Sequence, residues 1–131
     1  MSFLGMLFIA LGAASGALSR FFVTQMFSQV WLLGRFPIGV FLVNFLGSFC
    51  IGLFFGNSVN REFKFFWSHF LKIGFLGSFT TFSAFSEETY NIARQSNVLA
   101  AVYVVLSVGL SILSYSAGNY LSFKLGYKLA E

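Results

Sequence analysis

Apolar residues run along this chain in blocks too long for one face of a soluble helix. The first block, residues 3–22, carries a single charge, Arg20, close to its end. The second, residues 37–57, contains no charged residue. The third, residues 66–94, has Lys72 near its start and Glu87, Glu88 and Arg94 toward its end. The fourth, residues 97–123, is again free of charge. A membrane-spanning helix needs about 20 mostly apolar residues, so the pattern predicts four spans. Short polar connections separate them, at Gln29–Arg35, Asn57–Lys64 and Arg94–Asn97. Backbone polar groups inside lipid must find partners within the protein, so the spans are read as helices. The alternating segments of about ten residues that a transmembrane barrel requires are not seen. The expectation is one all-α transmembrane domain over residues 1–131.

Composition supports the same reading. Charged residues make up 9% of the 131 residues, against about 25% in a typical soluble domain. Hydrophobic residues are 57%, phenylalanine alone occurs 20 times, and the mean hydropathy is +0.81. A small soluble domain has too much surface to cover with so few charges. The net charge of +4 is scattered rather than clustered, which argues against a nucleic-acid partner and fits loop residues near lipid headgroups. Cys50 is the one cysteine, so no intrachain disulfide is expected. The N-terminus has no basic region before its apolar stretch, so the first block is read as a retained span.

Orientation is weakly specified. Four spans place Arg61, Lys64, Lys72, Lys124 and Lys128 on one side and Arg20, Arg35 and Arg94 on the other. So slight a bias fits insertion both ways with antiparallel pairing, and equally a single fixed orientation. Small residues four apart (Gly12 and Gly16, Ala13 and Ala17, Ser15 and Ser19, Gly52 and Gly56) allow helices to approach closely.

The informative residues are polar groups inside the spans, where each needs a reason. Gly74-Phe75-Leu76-Gly77-Ser78-Phe79-Thr80-Thr81-Phe82-Ser83-Ala84-Phe85-Ser86 falls in the middle of the third span. Glycines followed by Ser and Thr weaken a continuous helix, so a break is expected there. A broken helix offers carbonyls at one half-helix end and amides at the other, which suits an ion. The alternative is an unbroken helix whose hydroxyls bond to their own carbonyls. Asn44 is a lone amide in the second span, either glue between helices or a donor to an anion. In the fourth span Tyr103, Ser107 and Ser111 share one helix face, with Ser114 and Gly118 close to the stripe. That stripe lines a polar path or packs against another helix.

Other chemistry is missing. No span has a carboxylate at its centre, as proton-coupled transport usually requires. His69 lies near a span end without a second His or Cys at ligand spacing, and reads as interfacial. No nucleotide loop, nucleophile elbow or zinc-protease motif occurs, and no intramembrane acid, base and nucleophile set is evident. An enzyme is not expected.

At these residues the chain resembles the Fluc/CrcB family of fluoride channels over nearly its whole length. Gly12 to Phe21 is similar to the family's GGxxGAxxRY-type run. Gly39 through Asn44, with Gly47 and Gly52, is similar to GTxxVNxxGxFxxG. Gly74 to Ser86 is similar to GxxGGxTTFSTFS, the most specific of the three. The resemblance implies a multi-pass protein of the bacterial inner membrane, forming an antiparallel, dual-topology homodimer with two fluoride pores. It implies a third span broken at mid-membrane, and a central structural sodium ion held by the backbone carbonyls of Gly77 and Thr80. By the same resemblance Phe82 and Phe85 border the pore, and Asn44 is its asparagine. Tyr103, Ser107 and Ser111, joined by Thr81 and Ser83, form a hydroxyl track. Arg20 and Glu88 stand near entrances. Val40 occupies a position where the pattern has Thr, Ala84 replaces a frequent Thr, and Ser78 replaces a Gly. Two rival readings are a small multidrug exporter and a scaffold. The exporter wants a glutamate in its first span, absent from Met1–Ser19, and the scaffold leaves the polar stretch beside Phe82 and Phe85 unexplained.

Overall fold

The structure, a computed structural model, describes residues 2–27, 31–32, 36–55 and 64–128. Helix α1 spans Phe3–Met26 and starts at Ser2, whose hydroxyl accepts the Gly5 amide at 3.2 Å, an N-cap that satisfies an otherwise orphan donor. A two-residue antiparallel ribbon follows, β1 (Trp31–Leu32) against β2 (Phe36–Pro37). It lies partly in the short polar connection Gln29–Arg35. Pro37 has no amide proton, and its place in a two-stranded ribbon is one the residue tolerates. Helix α2 runs over Ile38–Phe55. Residues 56–57 of the expected second span, and the connection through Arg61 and Glu62, lie outside the described residues.

The third span is compound. A short helix α3 (Lys64–Phe66) passes into a π-helix over Trp67–Leu76 and then into α4, Gly77–Phe79. Such wide coils are rarely longer than one turn, and the apolar pattern gave no sign of this one. At Thr80 (φ −77°, ψ 154°) and Thr81 (φ −149°, ψ 122°) the backbone is extended, and helix α5 begins at Phe82 and ends at Ala93. The helical run is thus interrupted at Thr80–Thr81, inside the Gly74–Ser86 stretch. The last helix, α6, covers Asn97–Lys128. At about 1.5 Å per residue it is about 48 Å long, more than the roughly 30 Å of a bilayer's hydrocarbon core.

The helices pack as two pairs, α1 with the π-helix and α2 with α6, and α5 lies on α6. Glycines set the approach. A Cβ on Gly12 or Gly16 would collide with the carbonyl oxygen of Phe70 or Phe75, and one on Gly52 or Gly118 with that of Tyr115 or Phe49. The small-residue spacing therefore acts within the chain at these positions. A compact core forms where Val40, Phe85, Ile92, Ala100 and Tyr103 meet, with Phe36, Ala84 and Val104 against it. Val40, the residue in place of a hydroxyl, is one of its buried members. Outside that core the helices present large apolar side chains such as Phe3, Leu18, Phe22, Val105 and Leu113 outward. α1 and α6 are each long and apolar enough to cross a membrane, and α2 is a shorter apolar helix.

Candidate functional site

The interruption at Thr80–Thr81 leaves backbone groups that a continuous helix would have paired. The Thr80 amide still closes onto the Leu76 carbonyl at 3.1 Å. The Thr81 amide, which would close onto Gly77, donates instead to Asn44 Oδ1 at 2.8 Å, and Asn44 Nδ2 donates to the Thr81 carbonyl at 3.0 Å. One side-chain amide therefore satisfies both the N–H and the C=O of Thr81, from a different helix. This pairing also fixes which way the amide faces, since the donor must meet the carbonyl. Asn44 is glue across the break, and its second amide proton is still available to a ligand.

The other threonine hydroxyls have local duties. Thr80 Oγ1 donates to the Leu76 carbonyl at 3.0 Å. Thr81 Oγ1 caps α5 by accepting the Ala84 amide at 3.2 Å, and lies 3.2 Å from Ser83 Oγ. The Thr80 methyl sits against Gly47, where a Cβ would collide with it. That close approach brings α2 alongside the break.

A cavity of about 420 Å³ opens beside the interruption. Asn44 and Ser48 line it from α2, Thr80, Thr81, Phe82 and Phe85 from the break, and Ser107 and Ser111 from α6. Its remaining lining is aliphatic, from Ile51, Val108 and Ile112, so no charged side chain faces it. Ser107 is only 5% exposed, and its Oγ is buried without a hydrogen-bond partner among the described residues. The Tyr103 hydroxyl is its nearest polar neighbour one turn away on the same helix, and a buried hydroxyl without a well-formed bond costs about 1–3 kcal/mol. Phe85 is buried and Phe82 is 78% exposed, their ring centroids 5.6 Å apart at 45°. One face of Phe85 stacks on Tyr103 at 5.6 Å and 30°.

The residues singled out in the sequence separate into groups. Asn44, Thr81, Phe82, Phe85, Ser107 and Ser111 surround the cavity. Tyr103 lies outside it, donating to Glu88 Oε2 at 2.5 Å. Tyr103 and Ser107 instead line a second, smaller cavity of about 220 Å³, closed by Phe36, Pro37, Ile38, Phe41, Leu106 and Leu110. Ser107 thus stands between the two spaces. Ser83 is exposed and bonded to Thr81 rather than lining the cavity. Arg20 is on α1 and lines neither cavity, and its carbonyl accepts the Thr24 hydroxyl at 2.9 Å. Gly77 is exposed at the end of the first half of the span. Ser114 of the hydroxyl stripe is committed to packing, donating to the Phe45 carbonyl at 2.9 Å. The stripe therefore borders a cavity at Ser107 and Ser111 and packs against α2 at Ser114. His69 lies 2.7 Å from the Phe65 carbonyl through Nδ1, and among the described residues no cluster of His, Cys, Asp or Glu could hold a metal. Ser48 lies four residues after Asn44, a spacing that puts the two on one helix face, but the sequence reading did not single it out.

Helices apolar on nearly every side, joined by short connections and enclosing an uncharged cavity, define a multi-pass protein of the cell membrane. The chain belongs to the CrcB family: a family model described as CrcB-like protein, Camphor Resistance (CrcB), matches residues 7–119. Curated relatives named fluoride-specific ion channel FluC include the following three. The one from Shewanella pealeana is 39% identical over 122 residues, covering 89% of this chain and 94% of the relative. That from Coxiella burnetii (strain CbuK_Q154) is 38% identical over 131 residues, covering 96% and 100%. That from Ignicoccus hospitalis is 35% identical over 125 residues, covering 92% and 96%.

Proposed function

We propose that this chain is a passive, fluoride-selective channel rather than an enzyme, and that it lets cytoplasmic fluoride leave the cell. The observation that carries the proposal is the unpartnered Ser107 hydroxyl in a cavity lined by donors and phenylalanine rings. Fluoride is small and strongly hydrated, so a pore must replace its water with donors. The second Asn44 amide proton and the hydroxyls of Ser107 and Ser111 are such donors. An aromatic ring is positive at its edge, so Phe82 and Phe85 presented edge-on give weak anion contacts. Tyr103 covers one face of Phe85, which keeps that electron-rich face away from an anion. Fast conduction needs several moderate sites rather than one deep one, which fits a lining without a fixed charge. Arg20 and Glu88 stand nearer the mouths, where charge attracts or screens ions without trapping them. The Tyr103–Glu88 pair closes the hydroxyl track at one end, with Thr81 and Ser83 beside it.

The pore is completed by a second copy, inserted the other way up. Phe82 is a large apolar residue left exposed at the cavity rim, and the charge bias between the two sides is slight. An antiparallel homodimer covers that rim twice and makes two pores. The break then lies at mid-membrane, where the two copies cross.

Sodium fits the donor set there. The Gly77 carbonyl has lost the Thr81 amide to Asn44, and the extended Thr80 backbone turns its carbonyl out of the helix. Hard cations take oxygen ligands, and Gly77 and Thr80 of two copies supply carbonyls alone. A bound sodium ion offsets the partial negative charge of those helix ends and ties the two breaks together.

The test is ion efflux from liposomes holding the purified protein, read with a fluoride electrode, with a parallel chloride measurement. Fluoride lost and chloride retained supports the proposal. Fluoride retained by well-incorporated dimer with sodium present overturns it.

A further inference from the structure

A row of oxygens leads from α5 to the larger cavity. The Glu88 carboxylate accepts the Tyr103 hydroxyl through Oε2 at 2.5 Å. Tyr103 is 2% exposed, and its ring packs against Phe85 at 5.6 Å and Phe36 at 5.8 Å, which fixes the hydroxyl in place. One turn along α6, Ser107 Oγ lies next to that hydroxyl without a well-formed bond to it, and Ser107 lines the cavity. Other helical hydroxyls donate back to a carbonyl of their own helix, as those of Ser86, Thr89 and Ser116 do, the usual habit of Ser and Thr. Ser107 makes no such bond, so the direction of its proton is set by its neighbours.

A hydroxyl gives one proton and accepts others, and an ionised carboxylate only accepts. With Glu88 ionised, the Tyr103 proton is spent on it. Tyr103 then meets Ser107 with lone pairs alone, and these draw the Ser107 proton back from the cavity. A neutral Glu88 has a proton of its own to donate. Given to the Tyr103 oxygen, it frees the Tyr103 proton for Ser107 Oγ, and the Ser107 proton is left to face the cavity. One proton is taken up from water at the carboxylate, and the two hydroxyls only rotate. The three O–H groups then point the same way, and each strengthens the next.

We infer that Glu88, acting through Tyr103, sets the direction of the Ser107 proton: drawn back while Glu88 is ionised, turned to the conducted anion when Glu88 is neutral. Glu88 and Tyr103 are positioning residues, and Ser107 is the group that touches the ion. The inference rests on the channel reading and adds to it a dependence on pH. Among the described residues, the titratable groups that bear on Glu88 are Tyr103 from α6 and Glu87 beside it on α5, and α2 brings no charged residue.

The experiment uses the full chain in liposomes, with fluoride efflux read from about pH 8 to about pH 5, toward the ordinary range of a glutamate. Protein-free vesicles are subtracted for passage of the neutral acid. No efflux from the unaltered protein at any pH overturns the channel reading and this one with it. Its efflux should rise about fivefold as the pH falls, the scale of one hydrogen bond. Glu88→Gln is uncharged throughout and its amide donates as the neutral acid does, so its efflux should be fast and flat with pH. Tyr103→Phe keeps the ring and removes the link, so its efflux should also be flat. A purely structural role for the Tyr103 ring would leave the slope intact. Flat efflux from the unaltered protein, which needs no variant to fold, overturns the inference and leaves the channel reading standing. So does a slope that survives Tyr103→Phe, which would assign the effect to the Glu88 charge acting on the ion directly.

Discussion

At the scale of single residues, Asn44 and Phe82 separate architecture from conduction. Asn44 uses both ends of its amide on the backbone of Thr81, accepting from its N–H and donating to its C=O. In Asn44→Asp the acceptor survives, but the donor becomes an oxygen facing the Thr81 carbonyl. That leaves a buried polar group without a partner, at about 1–3 kcal/mol. The variant should unfold at lower denaturant in detergent and pass fluoride at least about tenfold more slowly. Unchanged stability would mean the amide does not hold the break. Phe82 is exposed and touches Phe85, so Phe82→Ile should leave dimer elution and stability nearly intact while cutting fluoride efflux strongly. Normal efflux there would remove the ring from the pore. The sequence legibility of the two residues differs for a physical reason. A lone amide in an apolar span announces itself, because burial demands a partner. One phenylalanine among 20 announces nothing, and Phe82 and Phe85 stood out only through the motif around them. The partner of Asn44, a backbone unit far along the chain, was not readable at all.

Among elements, the third span carries the lesson. Gly74 to Ser86 pointed to a weakened helix, and the interruption falls at Thr80–Thr81. The restart at Phe82 depends on Thr81 as N-cap. Thr81→Ala should therefore cost about 1 kcal/mol, and Thr81→Ser should recover most of it, both read from thermal unfolding in detergent. Recovery failing with Ser would mean the hydroxyl is not the cap. The π-helix before the break was illegible because its residues are apolar on every side, so no period distinguishes a wide coil from a narrow one. Helix ends lie beyond the apolar blocks for a related reason. Counting apolar residues finds the edge of the hydrocarbon, whereas a helix continues until its hydrogen bonding stops. α1 thus runs past Phe22 to Met26, and α6 past Phe123 to Lys128. The pairing of α2 with α6 was half legible, since small residues mark close approach without naming the partner. With Gly118 against Phe49, Gly118→Leu should separate the pair and abolish a monodisperse dimer on size exclusion.

For the whole molecule, the proposed dimer places a shared cation at the crossing of two broken spans. Replacing sodium on both sides by a large organic cation should slow fluoride efflux and lower the dimer's melting temperature together. A fall in neither would remove the ion from the assembly. Within one chain, the pair of α1 with the π-helix and the pair of α2 with α6 meet at the break, where Asn44 clasps Thr81. The consequence concerns time rather than shape. The gap in a helix is ordinarily where solvent deuterium enters first, since an unpaired amide exchanges freely. Here the Thr81 amide proton is held by a side chain from the opposite pair, and it is released only when the two pairs part. It should exchange as slowly as the helix interiors on either side, making the interruption one of the quietest points of the chain.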